Sequence, residues 1–244
     1  MDEFDVVVVG GGSGGSAVAG RLAEAGKSVC LLEAGGRNDG FRVTIPGMLA
    51  FSTDKINYRF ETVPQKGLNG RIGYQPRGKG LGGSSAINAM VYIRGHRWDY
   101  DNWASLGCTG WAYDDVLPYF KRAEQNERGE NAYHGADGPL FVSDQKTPNP
   151  GSLAFIEAAS ELQLPRNADF NGEKQEGFGL YQVTQKDGER WSAARAYVEP
   201  LRSSRNLDVR IGVTVQKLEI ENGRVTGVTY SVGKRSRTVK ARGA

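Results

Sequence analysis

Apolar residues in this chain come in short blocks divided by glycine. Phe4 to Val9 is a short, valine-rich apolar run, and Ser28 to Leu32 is a second one ending at Glu33. Runs of this length with glycine beside them predict strands buried on both faces, as in a parallel sheet. Between them lie Gly10-Gly11-Gly12-Ser13-Gly14-Gly15 and then Ser16 to Ala25, where Ala17, Val18, Leu22 and Ala25 are spaced for one helical face and Gly26 is a stop. Strand, glycine turn, helix and strand make a right-handed parallel unit.

From Ala34 to Gln75 the periodicity fades under repeated Gly and Pro, as expected of a functional or covering loop. Gly78 to Asn88 is a second glycine-rich turn, expected to open a helix through Met90 and Val91. Further helices are predicted for Asp99–Leu106, Asp114–Gln125, Ser152–Leu162 and Ser192–Leu201, with Asp114 as an N-cap and Pro118 in the first turn. Strands are predicted at Gly138–Ser143 and Gly179–Gln185. Leu207–Ile211, Thr214–Ile220, Val225–Ser231 and Arg237–Ala241 read as an antiparallel meander, with Asn222-Gly223 as a hairpin turn.

Composition narrows the function. Of 244 residues 34 are glycine, about twice the usual ~7%, without the three-residue repeat of collagen. The net charge of +3 comes largely from Lys234, Arg235, Arg237, Lys240 and Arg242 near the end. The rest is near neutral, which argues against nucleic acid or an anionic membrane as the main partner. Cys30 and Cys108 make no disulfide framework, and two histidines, His96 and His134, do not make a metal cluster. No leader segment or 18-residue apolar run is present, so a cytoplasmic protein without a transmembrane helix is expected.

Gly10, Gly12 and Gly15 satisfy G-x-G-x-x-G between a strand and a helix. The first glycine permits the turn, the second admits a pyrophosphate, and the third lets helix and strand pack closely. The helix N-terminus faces the phosphates with free N–H groups. Glu33, 23 positions after Gly10, can accept hydrogen bonds from an adenosine ribose, and its charge disfavours a 2′-phosphate. These residues alone do not separate NAD from FAD.

The second turn, Gly78-Lys79-Gly80-Leu81-Gly82-Gly83-Ser84-Ser85-Ala86-Ile87-Asn88, brings backbone N–H groups and small hydroxyls to a surface where a flat ligand can lie. With Tyr92, Gly95 and Asp101 it resembles the first signature of the glucose-methanol-choline oxidoreductases, flavoenzymes that oxidise alcohols. The resemblance extends through Glu33-Ala34-Gly35, Tyr58, Thr62, Pro64 and Gln65, Arg94-Gly95-His96, Gly110-Trp111, Tyr133-His134-Gly135, Gly138-Pro139-Leu140 and Ser192-Ala193-Ala194-Arg195. It is strongest with the bacterial choline-dehydrogenase-like and alcohol-dehydrogenase-like branch.

The resemblance implies an α/β Rossmann-like FAD-binding domain, a parallel sheet with an antiparallel meander, joined to part of a mixed α+β substrate domain. Residues 1–140 and 206–244 would belong to the first and 141–205 to the second. It implies that Gly10, Gly12, Ser13, Gly14, Gly15, Glu33 and Ala34 hold the adenosine diphosphate. Leu81, Gly82, Gly83 and Ser84, with Asn88, Ala89, Met90 and Val91, would lie against the flavin, and Val215 would touch adenine. No histidine stands in Ala86-Ile87-Asn88, where some members attach the flavin, so FAD is expected to bind non-covalently.

Family members run to about twice this length. Their catalytic histidine is therefore expected beyond Ala244, in a C-terminal half supplied by the same chain or a second one, and this chain alone is expected to be inactive. His96 and His134 sit in polar stretches and are read as exposed or loop-anchoring residues. The expected reaction passes hydride from an alcohol carbon to the flavin. A family relative with lyase or other altered chemistry, and a non-catalytic dinucleotide-binding or assembly module, are the alternatives.

Overall fold

A computed structural model describes residues 2–51 and 53–243. It divides into two compact units, one running from the N-terminus to Ala89 and resuming at Ser192, the other Met90–Trp191. The changeovers thus lie at 89/90 and 191/192, where the sequence reading placed them near 140 and 205.

In the first unit, β1 (Glu3–Phe4) and β2 (Val6–Val9) lead into the glycine turn, α1 (Ser13–Glu24) and β3 (Val29–Glu33). β2 and β3 are parallel, Val6 facing Val29 and Val9 facing Leu32. All five residues of β3 are buried, which is why its sequence is continuously apolar until the carboxylate that ends it. The strand Leu207–Ile211 lies parallel to β3 on its other side. This corrects its assignment to the meander: a short apolar run looks the same in either sheet, and the pairing of Leu207 with Val29 decides between them.

The meander proper is Val213–Glu221, Arg224–Val232 and Arg235–Ala241, closed by β1 running parallel to its last strand. Asn222 and Gly223 both have positive φ, 50° and 76°, as a two-residue hairpin turn requires. Among the described basic residues near the C-terminus, Arg235, Arg237 and Lys240 are exposed on the last strand.

Two apolar clusters sandwich the parallel sheet. Val8, Val29, Leu31 and Leu207 pack with Ala19 and Ala23 of α1, Leu81, Ala194 and Val198. On the other face Cys30 and Leu32 meet Val213, Val228, Tyr230 and Val239 of the meander. The buried stripe of α1 is Ser16, Ala19, Gly20 and Ala23, not the expected Ala17, Val18, Leu22 and Ala25, and Val18 is half exposed. Small residues win this face because they let the helix axis approach the sheet and the turn at Ala194–Val198. That segment is a π-helix running directly into the 3-10 helix Glu199–Leu201, so the helix expected over 192–201 is present as two non-α forms in succession.

The second unit carries helices Arg97–Ser105, Tyr113–Ala123 and Pro150–Glu161 and a parallel strand pair, Glu124–Asn126 with Leu140–Val142. Asp114 is not an N-cap: Ala112 takes that position and donates its N–H to the Asp115 carboxylate. Pro118 consequently lies within the helix rather than in its first turn. The helix expected through Met90 and Val91 is also absent. Gly83–Ala86 makes a single tight turn, Met90 adopts a left-handed φ of 62°, and Val91–Tyr92 is a strand paired with Gln182–Val183. One left-handed residue is enough to break helical continuity.

Candidate dinucleotide cradle and a buried charge cluster

The first turn is built as its spacing demands. A Cβ on Gly15 would overlap the Gly10 carbonyl oxygen, so the start of α1 sits directly over the end of β2. Gly12 caps the helix with no side-chain hydrogen bond, and no acidic residue stands in the first turn. The N-terminal N–H groups and the positive end of the helix dipole therefore face outward without a competing side chain. Ser13 and Gly14 are exposed, and a Cβ on Gly14 would meet nothing within 4 Å.

The second turn docks on the first. Gly82 donates its N–H to the Gly11 carbonyl at 2.7 Å. A Cβ on Gly83 would come 2.6 Å from the Gly12 Cα, so the two backbones touch there. Glu33 joins them. Its Oε2 accepts from Gly11 N–H at 2.7 Å, and its Oε1 accepts from Gly35 N–H at 2.7 Å and Gly80 N–H at 2.9 Å. Glu33 as a whole is 6% exposed. Sequence spacing identified Glu33 as a ligand acceptor but not as the tie between the turns, because Gly80 lies 47 positions away.

Gly10 to Gly15, Glu33 and Leu81 to Gly83 thus form one cradle in the first unit, with Ala34 half-buried beside it. The Leu81 side chain packs into the core against α1 and Ala194, and a Cβ on Gly11 of the first turn would come 2.8 Å from its Cδ2. Ser84 is exposed and accepts from Gly78 N–H at 3.2 Å, and Asn88 donates its N–H to the Ser84 carbonyl at 2.9 Å. Ala89 is exposed. Met90, buried, and Val91 belong to the second unit. Val215 is half-buried against the Cys30–Leu32 cluster. Cys30 is inert, its thiol pushed up to about 12 by burial.

The second unit contains a charge cluster that sequence reasoning missed. Glu124, fully buried, accepts from Arg94 Nη2 at 2.7 Å and from His134 Nδ1 at 2.9 Å. His134 Nε2 reaches Asp169 Oδ2 at 2.9 Å. Asn126 bonds both Glu124 and Gln182. His134 is 3% exposed, which corrects its reading as an exposed residue. Burial works against its charged form, but hydrogen bonds to Asp169 and Glu124 and their charges outweigh that and raise it to about 9. Burial likewise opposes ionised Asp169, yet the bond and charge from His134 hold its carboxyl below the usual range. Two cations against two carboxylates leave the cluster balanced, as burial requires. The missing signal was pairing between residues far apart in the chain, Arg94 with Glu124 and His134 with Asp169.

His96 anchors its loop as expected: its Nδ1 accepts from Trp98 N–H at 3.1 Å, and the Asp99 carboxylate accepts from His96 N–H at 2.8 Å. Among the described residues no three His, Cys, Asp or Glu side chains are arranged to hold a metal ion, and no helix is long and apolar enough to cross a membrane.

Comparison with known proteins agrees with this architecture. The profile described as GMC oxidoreductase matches residues 4–244. The chain is 47% identical over 242 residues to an oxygen-dependent choline dehydrogenase of Rhizobium etli, covering 98% of this chain and 44% of that protein. Among solved structures, pyridoxine 4-oxidase from Mesorbium loti superposes with a TM-score of 0.92 at 33% identity, over 97% of this chain and 48% of that one. An FAD-dependent oxidoreductase from Chaetomium thermophilum gives a TM-score of 0.88 at 28% identity, over 98% and 44%. The chain spans less than half the length of these relatives.

Proposed function

The chain belongs to the GMC oxidoreductase family, and from that membership we propose that it is the FAD-binding portion of an enzyme that oxidises an alcohol. The cradle carries this reading. Its first helix opens with no side-chain cap, Gly14 is open to a ligand, and the second turn lies against the first. A dinucleotide fits such a surface, with pyrophosphate on the N–H groups of the first turn of α1.

Glu33 contributes to selection as well. Three backbone donors occupy three of about four acceptor positions on a carboxylate. One position on Oε2 is left for a ribose hydroxyl, and a phosphate on that ribose would be repelled. The backbone of Leu81 to Ser84 then faces the flavin, Asn88 and Ala89 follow beside it, and Val215 serves the adenine end. When bound, the flavin supplies a hydride acceptor for the alcohol carbon. This chain's part is to bind and orient it.

No histidine lies between Gly78 and Val91, and both His96 and His134 are engaged by neighbours. This supports non-covalent flavin and a base supplied by the portion of the family's length that this chain does not span. The substrate class is an alcohol, in keeping with relatives named for choline and pyridoxine. Two free cysteines suit the reducing cytoplasm, where we place the enzyme.

Titration of the purified chain with FAD tests the reading. Flavin absorbance is expected to co-elute with the protein and to remain in the supernatant after acid precipitation. A protein that stays colourless would overturn it.

A further inference from the structure

We infer that Asn38, which belongs to no motif, is a positioning residue for the flavin-facing turn; the inference rests on the flavin reading above. The turn from Lys79 to Gly83 is rich in glycine, and Gly80 and Gly82 have φ values of 115° and 87°. Such a segment has the most conformational freedom to lose when it is ordered. Its N–H groups are held by Glu33 at Gly80, by the Gly36 carbonyl at Leu81 (2.9 Å) and by the Gly11 carbonyl at Gly82 (2.7 Å). Two of its carbonyls are held from the other side. Asn38 Nδ2 donates to Lys79 O at 3.0 Å and to Leu81 O at 3.2 Å. Both partners are acceptors only, so the amide nitrogen rather than its oxygen must face the turn.

Asn38 has φ of 57°, a left-handed conformation that Asn tolerates better than most residues and that Gly adopts freely. Asp and Gly can therefore replace it without new backbone strain. Glu33 bonds to both turns, whereas both donor hydrogens of the Asn38 amide go to the second. Loss of Asn38 should consequently weaken the hold on the flavin half of FAD and spare the adenosine half.

The experiment compares wild type, Asn38→Asp and Asn38→Gly in three measurements: FAD affinity, ADP affinity, and backbone hydrogen exchange over residues 79–83 without ligand. FAD affinity is expected to fall ten- to hundredfold in both variants, with ADP affinity within about twofold and faster exchange at 79–83. Equal losses for FAD and ADP, or unchanged exchange at 79–83, would overturn the role of Asn38 whatever the ligand. A wild-type chain that binds ADP but not FAD would overturn the flavin reading and this inference together.

Discussion

The Gly80 N–H donates to Glu33 Oε1 at 2.9 Å, a bond that joins the end of a buried strand to a loop 47 positions later. Through it, one carboxylate sets the distance between the two glycine turns before any ligand arrives. A preformed cradle of this kind lowers the ordering cost of binding.

Glu33→Gln keeps the shape and removes that arrangement. Whichever way the amide turns, its NH2 faces Gly11 N–H or the Gly35 and Gly80 N–H groups, so at least one buried donor loses its acceptor. Urea unfolding of the ligand-free chain should show a loss of about 1–3 kcal/mol, accompanied by weaker FAD and ADP binding.

Gly15 and Gly14 are adjacent in sequence and opposite in consequence. Gly15→Ala drives a methyl into the Gly10 carbonyl and should cost about 3 kcal/mol or more, because backbone rather than a flexible side chain must move. Gly14→Ala meets open space and should change stability by under about 1 kcal/mol. Thermal melts of the two variants give the comparison.

His134 makes stability depend on alkaline pH. Its folded-state value of about 9 lies above the ordinary 6.5, so the stabilisation from the imidazolium is complete below about pH 6.5 and is lost as pH rises through about 9. With the side chain 4% exposed, the loss is on the order of 3 kcal/mol. Denaturant midpoints measured from pH 6 to 10 should fall for the wild type and stay flatter for His134→Gln.

Glu124 is the centre of the same cluster. Glu124→Gln leaves Arg94 and His134 without the carboxylate they share. Breaking such a buried pair should cost about 3–5 kcal/mol and should also lower the His134 value, flattening the alkaline slope. A variant with wild-type stability and an unchanged slope would remove this account of the cluster.

The glycine spacing, the valine-rich runs and the carboxylate at the end of β3 were legible because each is a local pattern: a turn needs its glycines, and a strand buried on both faces needs continuous apolar residues. Asn222-Gly223 was legible for the same reason. By contrast, the place of Leu207–Ile211 in the parallel sheet, the small-residue face of α1, the inward turn of the Leu81 side chain and the burial of His134 depend on which distant segment packs alongside. Glu33 shows the division within one residue. Its position beside the first glycine turn follows from its spacing, but its grip on Gly80 exists only because the chain returns 47 positions later to lay a second turn on the first.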